Sequence, residues 1–192
     1  MSYATYITDA LVCGTYNRSS ADRSFALFTR EAGLLYAEAR SVREERSRQR
    51  YALEDFSLIR VSLIKGRQTW KIGSVEAITN YFRRAETQAE RVSVVRLGRN
   101  LRRFIHGEEA SPLLFDFVVE ALEVVVTDTL NRDFVDLYIE LKLLTLLGYA
   151  RVASLPPHLQ NLALKDVEAV NSREHTAVLS VLIEKGILNS QL

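Results

Sequence analysis

Two hydrophobic rhythms divide the chain. Through roughly its first 80 residues, short runs rich in Tyr, Phe, Val, Ile and Thr predict strands over residues 5–16, 23–29, 33–42, 56–65 and 69–77. Turn-forming stretches punctuate them at Asn17-Arg-Ser-Ser, Glu31-Ala-Gly33 and Lys65-Gly66-Arg67. Alternation is cleanest in the third run: Leu35, Ala37 and Ala39 fall on one face, Leu34, Tyr36, Glu38 and Arg40 on the other. Five strands of uneven length suggest a small closed or partly closed barrel. The OB-fold is the commonest candidate, and an SH3-like barrel would give a similar string.

From about Ile78 the period becomes helical. Ser111-Pro112 reads as a cap followed by proline at the first helical position, and Leu114, Phe115, Val118, Leu122, Val125 and Val126 then recur every 3.6 residues. Asn131 can cap the next helix, whose stripe is Phe134, Leu137, Tyr138, Leu141, Leu144 and Leu147. Gly148 stands where a C′ glycine would end it. Pro156-Pro157 punctuates the chain, and Asn171 with Glu174 resembles a capping box for a last helix facing inward through Val178, Leu179, Leu182 and Ile183. The expected architecture is α+β: a five-stranded OB-fold barrel over residues 1–79, then an all-α helical bundle over residues 80–192.

Composition adds limits. Of 192 residues, 47% are hydrophobic and 26% charged, which excludes a disordered tail or a collagen-like rod. One cysteine, Cys13, permits neither an intramolecular disulfide nor a Cys-rich zinc site and suits a reducing cytosol. No targeting or membrane segment is read: the most apolar stretch, residues 112–130, is cut by Asp116, Glu120, Glu123 and Asp128. The net charge of +1 conceals a split. Residues 1–110 hold 19 Lys+Arg against 13 Asp+Glu, or +6, and residues 111–192 hold 6 against 11, or −5. Such asymmetry marks a nucleic-acid-facing part joined to one with other partners.

The densest chemical feature lies between the third and fourth strands. Arg40, Arg43, Arg46, Arg48 and Arg50 fall within twelve residues that end on Tyr51. Planar guanidinium forks suit phosphate and aromatic rings suit unpaired bases, the usual construction of a single-strand binder, although Glu38, Glu44 and Glu45 offer the arginines pairing partners. Arg99, Arg102 and Arg103, with Arg83, Arg84, Arg91 and Arg96, extend the basic character into the first helices. Tyr36, Tyr51 and Trp70 are the aromatic candidates for stacking. Asp133, Asp136 and Glu140 share a helix face, as do Asp116, Glu120 and Glu123, and read as solvated or partner-facing. His106, His158 and His175 show no metal-ligand spacing, and neither a phosphate-binding glycine loop nor a nucleophile elbow occurs. No cofactor, metal or catalytic residue is expected.

Taken in order, Thr8-Asp-Ala-Leu-Val12, Ala21-Asp-Arg, Leu27-Phe-Thr-Arg-Glu-Ala-Gly33, the Ala39-Arg40 and Ser47-Arg48 pairs, Leu53-Glu-Asp-Phe-Ser57 and Tyr138-Ile-Glu-Leu-Lys-Leu-Leu-Thr-Leu-Leu-Gly-Tyr149 resemble the RecO family of bacterial DNA-repair recombination mediators. The resemblance covers most of residues 1–149. It implies an OB-fold followed by a helical domain, binding of single- and double-stranded DNA, and annealing of complementary strands. Further implications are engagement of the acidic C-terminal tail of single-stranded-DNA-binding protein, action with RecR to load RecA, and a cytoplasmic, nucleoid-associated location. Arg40, Arg43, Arg46, Arg48 and Arg50 match the family's basic strand-loop region. Many members carry a four-cysteine zinc module after the Leu-Gly-Tyr stretch; here Ala150-Arg151-Val152 leads to Pro156-Pro157 without a cysteine. Two rivals stand beside this reading: a non-enzymatic adaptor whose barrel binds peptide, and a nuclease using Asp133, Asp136 and Glu140.

Overall fold

Five strands close into a ring in the order β1-β2-β3-β5-β4. They are β1 (Thr5–Asn17), β2 (Arg23–Thr29), β3 (Gly33–Ala39), β4 (Ser57–Lys65) and β5 (Trp70–Asn80). The computed structural model describes residues 5–18, 22–42, 44, 47, 49–67, 69–127, 131–151, 153 and 155–190. Closure is antiparallel throughout except at β3–β5, where a short parallel pairing joins Ala37 to Trp70 and Glu38 to Lys71. This order is that of an OB-fold, as expected.

β1 does two jobs because it bends. Its first half pairs with β4, Thr5 to Leu11 opposite Ile64 to Leu58, and its second half pairs with β2. A bulge between Val12 and Gly14 supplies the bend. Alternation then sorts the side chains. Ala10, Val12, Phe25, Leu27, Leu35, Ala37, Ile59, Val61 and Leu63 fill the interior, whereas Leu11, Cys13, Ala26, Phe28, Leu34 and Leu58 point outward. The outward set is not solvated: it forms one continuous core with the helices.

Two strand ends differ from the sequence expectation. β3 stops at Ala39, since Ser41 takes a positive φ of 52° and donates its N–H to Asp22 Oδ1 at 2.9 Å, turning the chain. β5 continues to Asn80, because Thr79 and Asn80 still pair with Leu58 and Ser57. Asn80 then caps the first turn of α2 (Tyr81–Arg84) by accepting from the Arg83 N–H. Between β3 and β4 the chain forms the single turn α1 (Gln49–Ala52).

α3 (Gln88–Phe104) opens on a capping box that the sequence reading passed over: Thr87 accepts from the Glu90 N–H, and Glu90 accepts from the Thr87 N–H. α4 (Pro112–Val125) and α5 (Arg132–Leu146) follow, with Pro112 at the first helical position and Gly148 (φ 80°) ending α5. There the Tyr149 N–H reaches the Leu144 carbonyl and the Gly148 N–H the Thr145 carbonyl, a Schellman closure. Neither Ser111 nor Asn131 makes a side-chain cap bond. α6 (Pro157–Gln160), a 3-10 turn (Leu164–Val170) and α7 (Arg173–Asn189) complete the helical part. Ser172, not Asn171, caps α7 by accepting from the His175 N–H at 3.1 Å.

The helices are seated on the barrel by shape and by charge. Arg30 after β2 forks onto Asp116 of α4, with contacts of 3.0 and 2.9 Å. Glu123 of α4 takes both a fork from Arg84 and the hydroxyl of the fully buried Tyr81. Phe28 of β2 meets Phe115 of α4 at 5.5 Å between ring centroids. Among the described residues no helix is long and apolar enough to cross a membrane.

Candidate nucleic-acid interface

The bulge in β1 has a chemical outcome. Strict alternation from Val12 would turn Tyr16 into the barrel. The extra residue shifts the register so that Gly14 stands opposite Ala26, and Tyr16 opposite Ser24, on the outer face. Across β2, Ala26 is opposite Tyr36 of β3. The small side chains of Ser24 and Ala26 leave room for the two tyrosines to lean together, ring centroids 5.9 Å apart, and the rings are 41% and 52% exposed. Partial burial, then the neighbouring Tyr16 hydroxyl, raises the Tyr36 phenol above the usual tyrosine range.

Arg102, in the last turn of α3, completes this group. Its Nη1 donates to the Tyr16 hydroxyl at 3.3 Å, and its guanidinium lies over Gly14. A Cβ at Gly14 would stand 2.6 Å from Nη1, so the missing side chain is what lets the arginine come this close to the strand. Farther along the same face Arg18 pairs with Glu38 at 2.7 Å, and Arg40 continues the outward row of Tyr36 and Glu38 as an exposed residue. On α3, Arg99 and Arg103 are exposed one turn apart. The result is a strip of guanidinium groups and two paired rings, running from the end of α3 across β1 and β3 to the start of the Arg-rich loop. Planar donors for phosphate beside faces for bases are what a sequence-tolerant strand binder presents.

The remaining candidates divide. Arg50 and Tyr51 sit on α1, both exposed, with the Tyr51 ring 68% accessible. Arg43, Arg46 and Arg48 lie outside the described residues. Trp70 is corrected: it is only 8% exposed, its Nε1 donates to Glu108 at 2.8 Å, and Tyr6 and Lys65 cover its ring. With its donor taken and its faces packed, it offers no stacking surface. Tyr16 was missed because only the bulge brings it outward.

A second feature runs along the open side of α2 and α3. Phe82, Val92 and Val95 floor a groove of about 560 Å³, flanked by Arg91, Arg96 and Arg99. The Arg91 guanidinium stands 5.8 Å from the Phe82 ring centroid. Apolar floor and cationic walls suit an acidic segment with apolar side chains.

The carboxylates proposed for a nuclease are otherwise engaged. Asp136 is buried and accepts from Ser93 at 2.7 Å with Arg96 at 3.3 Å, while Asp133, one turn before it, is exposed. Burial raises both Asp136 and Glu140 above the usual carboxylate range. Among the described residues no group of three His, Cys, Asp or Glu side chains is placed to hold a metal ion.

Comparison with known proteins matches both parts. Residues 1–81 fit the family described as Recombination protein O N terminal, and residues 98–154 fit Recombination protein O C terminal. The chain is 26% identical over 146 residues to the DNA repair protein RecO of Caldanaerobacter subterraneus subsp. tengcongensis, covering 76% of this chain and 59% of that protein. With its namesake in Rubrobacter xylanophilus identity is 26% over 147 residues, covering 77% and 59%. Against that of Symbiobacterium thermophilum it reaches 35% over 78 residues, 41% of this chain and 31% of the relative. This chain therefore spans 59% of the length of the first two relatives. Matched in order along both its barrel and its helices, the chain belongs to the RecO family.

Proposed function

We propose that this chain is a recombination mediator that acts in DNA repair by binding DNA strands along the Tyr16–Tyr36–Arg102 strip. The observation that carries the reading is the seam itself: exposed paired rings and an arginine bonded to one of them, brought together by a bulge and a glycine. The barrel interior is filled by its own side chains, so a ligand engages the outside, which disfavours a peptide-binding barrel. In this reading residues 1–79 and 80–192 are the two working units. The helical unit recruits proteins, and the net charge of −5 over residues 111–192 keeps that part off DNA.

Arginines along the strip neutralise backbone phosphates and release counterions, giving salt-dependent, sequence-tolerant affinity. Arg40 and Arg50 extend that surface, Tyr51 adds a ring, and Arg43, Arg46 and Arg48, between them in sequence, add three more positive charges. Both single- and double-stranded DNA present the phosphates this requires. Two strands held with their repulsion screened pair more readily, which is annealing without a catalytic residue. The groove beside α3 takes the acidic C-terminal tail of single-stranded-DNA-binding protein, Arg91, Arg96 and Arg99 meeting its carboxylates and Phe82, Val92 and Val95 its apolar side chains. RecR joins the assembly, and RecA is loaded on the strand released, in the cytoplasm at the nucleoid.

Fluorescence anisotropy on a labelled single strand across a salt series tests this. Replacing Arg40, Arg102 and Arg103 by alanine should flatten the log–log salt slope by about 2, each arginine accounting for roughly 0.7 on single strands. Replacing Tyr16 and Tyr36 by leucine should weaken binding while leaving the slope intact, because stacking releases no counterions. A slope indifferent to the three arginines would refute the assigned surface.

A further inference from the structure

His158 and His175, scattered in sequence, meet in space. Their Nε2 atoms lie 3.0 Å apart, with ring centroids at 4.7 Å and planes inclined at 48°. His158 is on α6 and His175 on the first turn of α7. Nothing in the DNA-binding reading uses either residue.

We propose that the two histidines clasp a divalent transition-metal ion of the zinc type between α6 and α7. Zinc–imidazole bonds run about 2.0–2.1 Å and meet near the tetrahedral angle, which sets two nitrogens sharing one ion about 3.3–3.4 Å apart. The observed 3.0 Å is about 0.3–0.4 Å shorter, so the rings part by that much to admit the ion. The ring positions add a second constraint, since a collinear N–H···N bond at this separation would hold the centroids about 5.3 Å apart. They are closer, so the rings meet at an angle. Leaning both rings to the same side aims the two nitrogens at one point, the position the ion would take.

One ligand is already oriented. Nδ1 of His175 stands 2.7 Å from the Val170 carbonyl, which can only accept, so Nδ1 carries the hydrogen and Nε2 presents its lone pair. A carbonyl behind the ring is the usual second partner of a metal-bound histidine. The Ser172 cap holds the backbone N–H of the same residue. His158 is exposed, and its Nε2 carries the shared hydrogen in the empty pair. On binding, that hydrogen moves through solvent to Nδ1, and the ring stays neutral. Among the described residues no third His, Cys, Asp or Glu side chain joins them, so water fills the other positions. Two protein ligands make an exchangeable ion that fastens α6 to α7, not a core element without which the chain would unfold.

Isothermal titration of the untagged chain with zinc chloride tests this, with His158→Ala, His175→Ala and His106→Ala in parallel. His106 is the remaining histidine and serves as control. One ion per chain is expected for the wild type and for His106→Ala, and none for the other two. Zinc should raise the melting temperature of the wild type and leave those two unmoved. Circular dichroism confirms their folding, and the exposed His158 can be replaced without disturbing a core. No uptake by the wild type, uptake that survives both replacements, or uptake lost only with His106 would each overturn the proposal.

Discussion

Replacing Gly98 by alanine tests how α3 is seated on the barrel. In a helix interior this change ordinarily stabilises, by about 1 kcal/mol, since alanine is the better helix former. Here the new methyl would stand 2.7 and 3.2 Å from two carbons of the Phe56 ring. That ring has little freedom to retreat. The Phe56 N–H donates to the Val12 carbonyl at 2.7 Å, its carbonyl accepts from the Tyr81 N–H at 3.1 Å, and its φ is 65°. On its other side the Phe82 ring stacks at 5.9 Å. With an approach of 2.7 Å onto a ring held this firmly, overpacking falls in the upper part of its usual range, about 2–3 kcal/mol, which outweighs the helical gain. The expected net loss is about 1–2 kcal/mol, a fall in melting temperature of roughly 2–8 °C for a chain of this size. Urea unfolding followed by circular dichroism measures it, and a cycle through Phe56→Ala isolates the cause. With the ring removed, Gly98→Ala should change sign and stabilise by about 1 kcal/mol. A neutral or stabilising effect in the wild-type background, or the same effect in both, would refute the close packing. Gly98 precedes Arg102 by one turn, so this contact also sets where the arginine lies on Gly14.

Tyr138→Phe should cost about 1–3 kcal/mol, because the buried hydroxyl shares its one hydrogen between the Leu159 and Leu162 carbonyls, each 3.0 Å away, and ties α5 to α6 and the segment after it; urea unfolding reads the loss. Gly148→Ala should cost about 1 kcal/mol from its positive φ alone, since open space surrounds the added methyl. Burial pushes the Cys13 thiol from 9.0 up to about 12. In the native chain it should therefore resist iodoacetamide at pH 8 and react only after denaturation. The unfolded thiol ionises first, so this group's contribution to stability is complete below pH 9 and declines as pH rises towards 12. A Cys13→Ala variant should lack that part of the alkaline loss.

Sequence periodicity carried most of the fold because both faces of the strands are committed. Leu35, Ala37 and Ala39 fill the barrel, whereas Leu34 joins the helices and Tyr36 meets solvent, so the pattern in β3 reads directly as two environments. Errors arose where local geometry overrides composition. Ser41 ends β3 early through a left-handed turn that a serine seldom adopts. The cap of α7 slipped by one residue, since Asn171 and Ser172 are both good caps and only the hydrogen bond decides. The His158–His175 contact could not be read at all, because no motif spacing relates an α6 residue to one on α7.

The candidate site was legible in its charges and not in its aromatics. Arg102 lies in a run whose basic character is plain, yet its role depends on Gly14, an unremarkable glycine within a strand. Tyr16 has the parity of an interior residue until one extra residue in β1 reverses it. Trp70 fails for the opposite reason: an indole near a basic turn suggests stacking, but Glu108, reaching from the loop after α3, takes its N–H and pairs with Lys65. All three outcomes lie along the contact between barrel and helices. There Leu11, Cys13, Phe28, Leu34 and Leu58 point outward from the barrel into one core with α3, α4 and α5. An isolated barrel would expose that apolar face and lose Arg102. The proposed strip therefore belongs to the seam between the two halves, and the charge division along the chain marks its sides more than it marks separable modules.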